Sequence, residues 1–116
     1  MRREELYLTD IVEAADSIQN FLSGVNRKDF LRNDLLRSAV LQKLSIIGEA
    51  ASRLPLKFRT RHSGVEWGDI IGFRNIAVHA YFSVDWSIVW TTAKKEVPEL
   101  RQKIAEVLAA EYPSQA

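Results

Sequence analysis

The chain has 116 residues, 47% of them hydrophobic, which supplies one core and argues against two. The expectation is a single domain over residues 1–116. Charged residues make up 27%, mixed in sign, with a formal net charge of +1. Nucleic-acid binding is therefore not announced globally and has to come from local asymmetry. The absence of cysteine excludes disulfides and thiolate metal sites. The opening Met1-Arg2-Arg3-Glu4-Glu5 lacks a signal-peptide core, and no apolar run approaches the roughly 20 residues of a membrane span. These features predict a soluble, cytoplasmic protein with no membrane partner.

Apolar residues recur at helical spacing throughout. The first predicted helix runs from about Glu4 to Ser23, with Leu8, Ile11, Val12, Ala15, Ile18 and Leu22 as its stripe and Gly24 as its stop. A second, longer helix is predicted from about Arg27 to Leu54, capped by Asn26 and ended by Pro55. Its stripe is Leu36, Val40, Leu44, Ile47, Ala51 and Leu54. Gly48 inside it costs about 1 kcal/mol of helix stability relative to alanine, so a partner helix is expected to approach there. Glu49 beside it reads as solvated or structural, the alternative being an ion pair with an arginine such as Arg74.

Residues 56–65 read as a basic connection. Between Glu49 and Glu66 the chain carries Arg53, Lys57, Arg59, Arg61 and His62 with no acidic residue. That run is either a solvated loop or a weak phosphate-tracking surface. A third helix is predicted from near Glu66 to about His79 or Ala80, with Gly68 and Gly72 marking tight packing. Ser83 or Asp85 caps a fourth, from about Val84 to Glu96. Pro98 then opens a last helical stretch through about Ala110, kinked against the fourth, and residues 112–116 fray. The architecture is an all-α bundle of four to five helices. Trp67, Trp86 and Trp90 read as core or interface residues, with Trp86 and Trp90 one turn apart on a shared buried face.

The chemistry concentrates in Arg74-Asn75-Ile76-Ala77-Val78-His79-Ala80-Tyr81. On a helix, Asn75, His79 and Phe82 form one stripe and Arg74, Val78 and Tyr81 the adjacent one, with Ile76, Ala77 and Ala80 opposite. A histidine near neutral pKa moves a proton, and a guanidinium holds a phosphate and stabilises charge developing on it. Asn75 does not titrate, so its role is to orient His79 or to hydrogen-bond the phosphate. Attack by a ribose 2′-hydroxyl on its own phosphate needs a base, an acid and a cation. One chain supplies a single proton carrier here, and a two-fold dimer would bring a second. No His-x3-His or Glu-x2-His pair at ligand spacing, no phosphate-binding glycine loop and no serine-hydrolase elbow is present. The plain alternative is a structural histidine near a structural arginine.

Trp67-Gly68-Asp69-Ile70, Arg74-Asn75 and His79-Ala80-Tyr81-Phe82 together resemble the signature of HepT-like HEPN proteins, the toxin halves of HepT–MNT toxin–antitoxin pairs. Ile46-Ile47-Gly48-Glu49-Ala50-Ala51 resembles the family's second-helix block and Asp10-Ile11 its first helix. The likeness runs from roughly Glu5 to Ile104. It implies a HEPN-type up-and-down bundle and a homodimer with a composite Arg74/His79 site at its interface. It further implies an RNA substrate, no metal or other cofactor, and neutralisation by an MNT-type nucleotidyltransferase antitoxin that AMPylates Tyr81. The runner-up is a non-catalytic helical module that binds RNA or a nucleotidyltransferase.

Overall fold

The computed structural model describes residues 3–79 and 85–113, with the backbone alone described for residues 77–79. Every regular element among the described residues is helical: α1 (Glu4–Leu22), α2 (Arg27–Arg32), α3 (Asp34–Arg53), α4 (Leu56–Arg61), α5 (Trp67–His79), α6 (Trp86–Thr91) and α7 (Val97–Glu111), with a π-helical segment at Thr92–Glu96. The four long helices make the bundle. α1 packs on α3 and α7, and α3 packs on α5. Ile70 and Phe73 of α5 and Leu100 of α7 line one pocket.

The core is the set of stripes the periodicity marks. Leu8, Ile11, Ala15 and Ile18 of α1 are fully buried, as are Val40, Leu44, Ile47 and Ala51 of α3. Gly24 closes α1 with φ 71°, a left-handed turn that disfavours side chains bearing a Cβ. Among the described residues no helix is long and apolar enough to cross a membrane.

The long second helix of the sequence reading is two helices. Asn33 accepts a hydrogen bond from the Leu36 N–H at 2.9 Å, while its own N–H donates to the Phe30 carbonyl at 3.2 Å. One residue thus ends α2 and caps α3, because an asparagine side chain competes with the helical backbone for its hydrogen bonds. Asn26 caps α2 as expected, accepting from the Asp29 N–H at 2.8 Å. The basic connection also contains a helix, α4, anchored by buried Phe58. Asp85 caps α6 by accepting from the N–H groups of Ser87 and Ile88; the other candidate cap, Ser83, lies outside the described residues.

Between α6 and α7 the helix widens into a π-helical turn. The Val97 N–H donates to the Thr92 carbonyl, five residues back. Pro98 has no N–H and its ring crowds the carbonyl four residues earlier, so a π turn absorbs the misfit without a break. Tyr112 packs half-buried against the core and its N–H donates to the Leu108 carbonyl at 2.8 Å. Residues 114–116 lie outside the described part.

Trp67 is buried, its indole donating to the His62 carbonyl at 2.9 Å. Trp90 packs on Phe30 with ring centroids 5.3 Å apart, whereas Trp86 lies under the Arg37 guanidinium. The two tryptophans one turn apart therefore serve different contacts.

The glycines divide. A Cβ on Gly48 would sit 2.7 Å from the Arg74 backbone nitrogen and 3.1 Å from the Ile70 carbonyl oxygen. Gly48 is thus where α5 lies directly on α3. Gly68 and Gly72 meet nothing within 4 Å, so the tight packing expected at them is absent. Gly48→Ala gains about 1 kcal/mol of helix propensity but forces two backbones apart, an overpacking cost of about 1–3 kcal/mol. The expected result is a net loss of stability, read as a lower urea midpoint, while Gly72→Ala at an open site leaves it unchanged or raised.

Candidate functional site

The contact at Gly48 sets the site. With the α5 backbone seated on α3 at Arg74, the next α3 residue, Glu49, is within reach of the Arg74 side chain. Glu49 Oε2 accepts from Arg74 Nη1 at 3.0 Å, and Ser52 Oγ accepts from the same nitrogen at 3.3 Å. Ser52 in turn donates to the Glu49 carbonyl at 2.7 Å. The other carboxylate oxygen, Oε1, accepts from Arg53 Nε at 3.0 Å. One carboxylate therefore holds two guanidinium groups, each by a different edge.

This overturns the solvated reading of Glu49. It is an anchor, and hydrogen bonds from Arg74 first and Arg53 second hold its carboxyl below the usual carboxylate range. The ion pair is not sealed away: the side chains of Arg74 and Glu49 are each 42% exposed. Among the described residues Arg74 bonds through Nη1 alone, and its Nε and Nη2 make no hydrogen bond to them. The Nε–Nη2 edge of a guanidinium has the fork geometry suited to a phosphate.

Asn75 follows on α5 and is exposed. His79 is one turn further along the same helix; its backbone is helical, and its side chain lies outside the described residues. Tyr81, the proposed modification site, lies wholly outside them. Ile76, on the opposite arc of the helix, is partly buried against the core.

The basic run after Glu49 separates into different jobs. Arg53 joins Arg74 through Glu49. Arg59 Nε donates to the Leu54 carbonyl at 3.2 Å, bracing the end of α3. Arg61 Nε donates to Glu111 Oε1 at 2.8 Å, and His62 Nε2 lies 2.5 Å from the same oxygen. Those two partners, His62 first, hold the Glu111 carboxyl below its usual range. Lys57 is exposed. The run thus does not form a continuous row of uncommitted cations. Among the described residues no three His, Cys, Asp or Glu side chains converge as metal ligands.

Ser52 escaped the sequence reading. The available signal was spacing: Ser52 and Arg53 follow Glu49 by three and four residues, so all three share one helix face.

The family model described as ribonuclease HepT-like matches residues 11–107. The chain belongs to the HepT-like ribonuclease family. It is 37% identical over 111 residues to the protein named "Putative RNase TTE0752" of Caldanaerobacter subterraneus subsp. tengcongensis, covering 96% of this chain and 99% of that one. It is 35% identical over 106 residues to "Probable ribonuclease HepT" of Thermococcus cleftensis, covering 91% of this chain and 96% of the relative. A third relative, "Putative RNase MJ1380" of Methanocaldococcus jannaschii, is 33% identical across 89% of this chain and 94% of its own length. No solved structure matches the chain.

The lowered Glu49 carboxyl fixes the sign of a pH effect. A depressed folded-state pKa contributes stability above the ordinary carboxylate range and loses it as pH falls through the folded value. The pair is partly exposed and screened, so the contribution is below about 1 kcal/mol. Urea unfolding of wild type and Glu49→Gln should differ slightly at about pH 7 and converge as the pH falls through the folded-state value. A difference that persists or grows in acid would show that the carboxylate charge is not what Glu49 contributes.

Proposed function

We propose that this chain is a metal-independent endoribonuclease, acting as the toxin of a toxin–antitoxin pair. The observation that carries the reading is the anchored guanidinium: in a HepT-like ribonuclease, Arg74 is held on one edge by Glu49 and Ser52 and presents the other beside Asn75, one turn before His79. In this reading His79 moves the proton of the ribose 2′-hydroxyl or of the leaving 5′-oxygen. Arg74 neutralises the crowded phosphorane between them. Asn75 orients His79 or the phosphate. The linkage breaks at the 5′-oxygen and leaves a 2′,3′-cyclic phosphate, so neither an external nucleophile nor a metal is required for the first step.

One histidine per chain covers one of the two proton transfers. A homodimer whose two-fold axis passes beside Arg74 and His79 brings two copies of each to one cleft and supplies the other. Neutralisation rests on Tyr81, two residues after His79. An adenylyl group there adds bulk and a negative phosphate near Arg74, which blocks an RNA phosphate by occlusion and repulsion. A nucleotidyltransferase antitoxin is the partner this chemistry calls for.

Purified protein incubated with total RNA and with tRNA in EDTA should cut RNA but not DNA, leaving 2′,3′-cyclic or derived 3′-phosphate ends. Strict metal dependence, or equal cutting of DNA, would overturn the mechanism. His79→Ala and Arg74→Ala should each lower the rate by factors of about 10²–10⁴ with helical content intact. Arg74→Lys should rescue only in part, because a point charge does not reproduce a planar fork. Tyr81→Phe should keep cleavage and escape the nucleotidyltransferase; loss of cleavage as deep as in His79→Ala would put the tyrosine in the mechanism instead. Sedimentation of the active species should give a dimer, and a fully active monomer would remove the composite site.

A further inference from the structure

The Glu49 carboxylate holds two guanidinium groups, and the mechanism above uses only that of Arg74. Resting on the ribonuclease reading, we propose that Arg53 binds the phosphate next to the one held by Arg74. Glu49 then sets a two-phosphate register for the RNA strand.

The shared carboxylate fixes the spacing. Glu49 Oε2 accepts from Arg74 Nη1 at 3.0 Å, and Oε1 accepts from Arg53 Nε at 3.0 Å. The two bonded nitrogens are therefore separated by no more than two hydrogen bonds and the width of one carboxylate. Consecutive phosphates of a strand are joined by the sugar and ester bonds of a single nucleotide, which span the same scale. A strand whose phosphate sits on Arg74 thus has its next phosphate within reach of Arg53.

The hydrogen bonding of Arg53 suits the role. Among the described residues it bonds through Nε alone, and its Nη1 and Nη2 make no hydrogen bond to them. Its side chain is 61% exposed. The Nη1–Nη2 end of a guanidinium grips a phosphate oxygen pair by two parallel N–H bonds. Holding Nε in advance also limits the rotamer freedom that a bound phosphate would otherwise remove.

Stability does not account for the arrangement. An exposed i, i+4 ion pair contributes little to a helix, and Arg74 already gives Glu49 a partner. What the second guanidinium adds is charge, because two cations against one carboxylate leave one positive charge in excess. Other cations of the same basic run are committed elsewhere, Arg59 to the Leu54 carbonyl and Arg61 to Glu111. Arg53 shares its partner with Arg74.

The test uses 2′-O-methyl diuridine monophosphate, which is not cleavable, and the same ligand with an added 5′- or 3′-terminal phosphate. Binding to the full chain is read by NMR titration. In wild type one of the two end phosphates should tighten binding about tenfold, the gain of one charge-assisted contact. Arg53→Gln should abolish that gain and leave the affinity for the single-phosphate ligand unchanged. Lys28→Gln, which removes an equal charge from an exposed position on α2, should keep the gain. Circular dichroism checks that both variants retain their helices. Equal weakening of all three ligands by Arg53→Gln would make Arg53 only a brace for Glu49 and Arg74, and would overturn the register. So would a wild type indifferent to both end phosphates, no binding of any ligand, a gain that survives Arg53→Gln, or one lost in Lys28→Gln. Because the ligands are not cut, this result is separate from cleavage. A protein that cuts RNA yet gains nothing from a second phosphate loses the register alone, whereas failure to cut RNA sinks the ribonuclease reading.

Discussion

The approach of α5 to α3 at Gly48 is the constraint on which the rest of the site depends. A side chain there would run into the Arg74 nitrogen and the Ile70 carbonyl, so hydrogen in place of a methyl group sets the distance between the two helices. Once the backbones touch, the position of Arg74 relative to α3 is no longer a matter of side-chain flexibility. The long arginine stem starts from a fixed point, and Glu49 and Ser52 need only close the last few ångströms. The helix-propensity cost of the glycine is repaid in placement.

Glu49 then converts placement into electrostatics. An unanchored arginine on a surface samples many rotamers and loses that freedom on gripping a phosphate. Holding one edge in advance removes part of that loss and aims the free edge. The cluster of Arg53, Glu49 and Arg74 keeps a net positive charge after pairing, so it still attracts a polyanion. A fully neutral pair would not. Partial exposure matters as well, because the guanidinium has to shed little water from its open edge before a ligand reaches it.

The far end of the bundle is braced by the same kind of device for a different end. Glu111 at the close of α7 binds both Arg61 and His62 beside α4, and Trp67 caps the His62 carbonyl as α5 begins. Residues that look like part of a basic strip thus tie α4 to the end of α7 and the start of α5. The π turn before Pro98 does related work in α6–α7: it lets the chain continue in register past a residue that is unable to donate.

The sequence by itself determined the helical class, the buried stripes of α1 and α3, the cap at Asn26 and the left-handed stop at Gly24, because each follows from periodicity or from a local hydrogen bond; at the start of α6 it left Ser83 and Asp85 both open. It also marked Arg74, Asn75 and His79 as candidates on one helix, Asn75 and His79 sharing a stripe at i, i+4. Asn33 was legible in principle, but a polar cap inside an unbroken apolar stripe is outvoted when only the stripe is read. Arg53 and Arg59 are spent on near neighbours, Glu49 four residues back and the Leu54 carbonyl five back, whereas only tertiary packing gives Arg61 to a glutamate fifty residues away. The same holds for the glycines: Gly48 and Gly72 are both helix-interior glycines, and only the packing of α5 on α3 decides that the first is a contact and the second open space. Glu49 is the clearest case, a carboxylate whose partner lies 25 residues on and comes within reach only after two helices have been laid side by side.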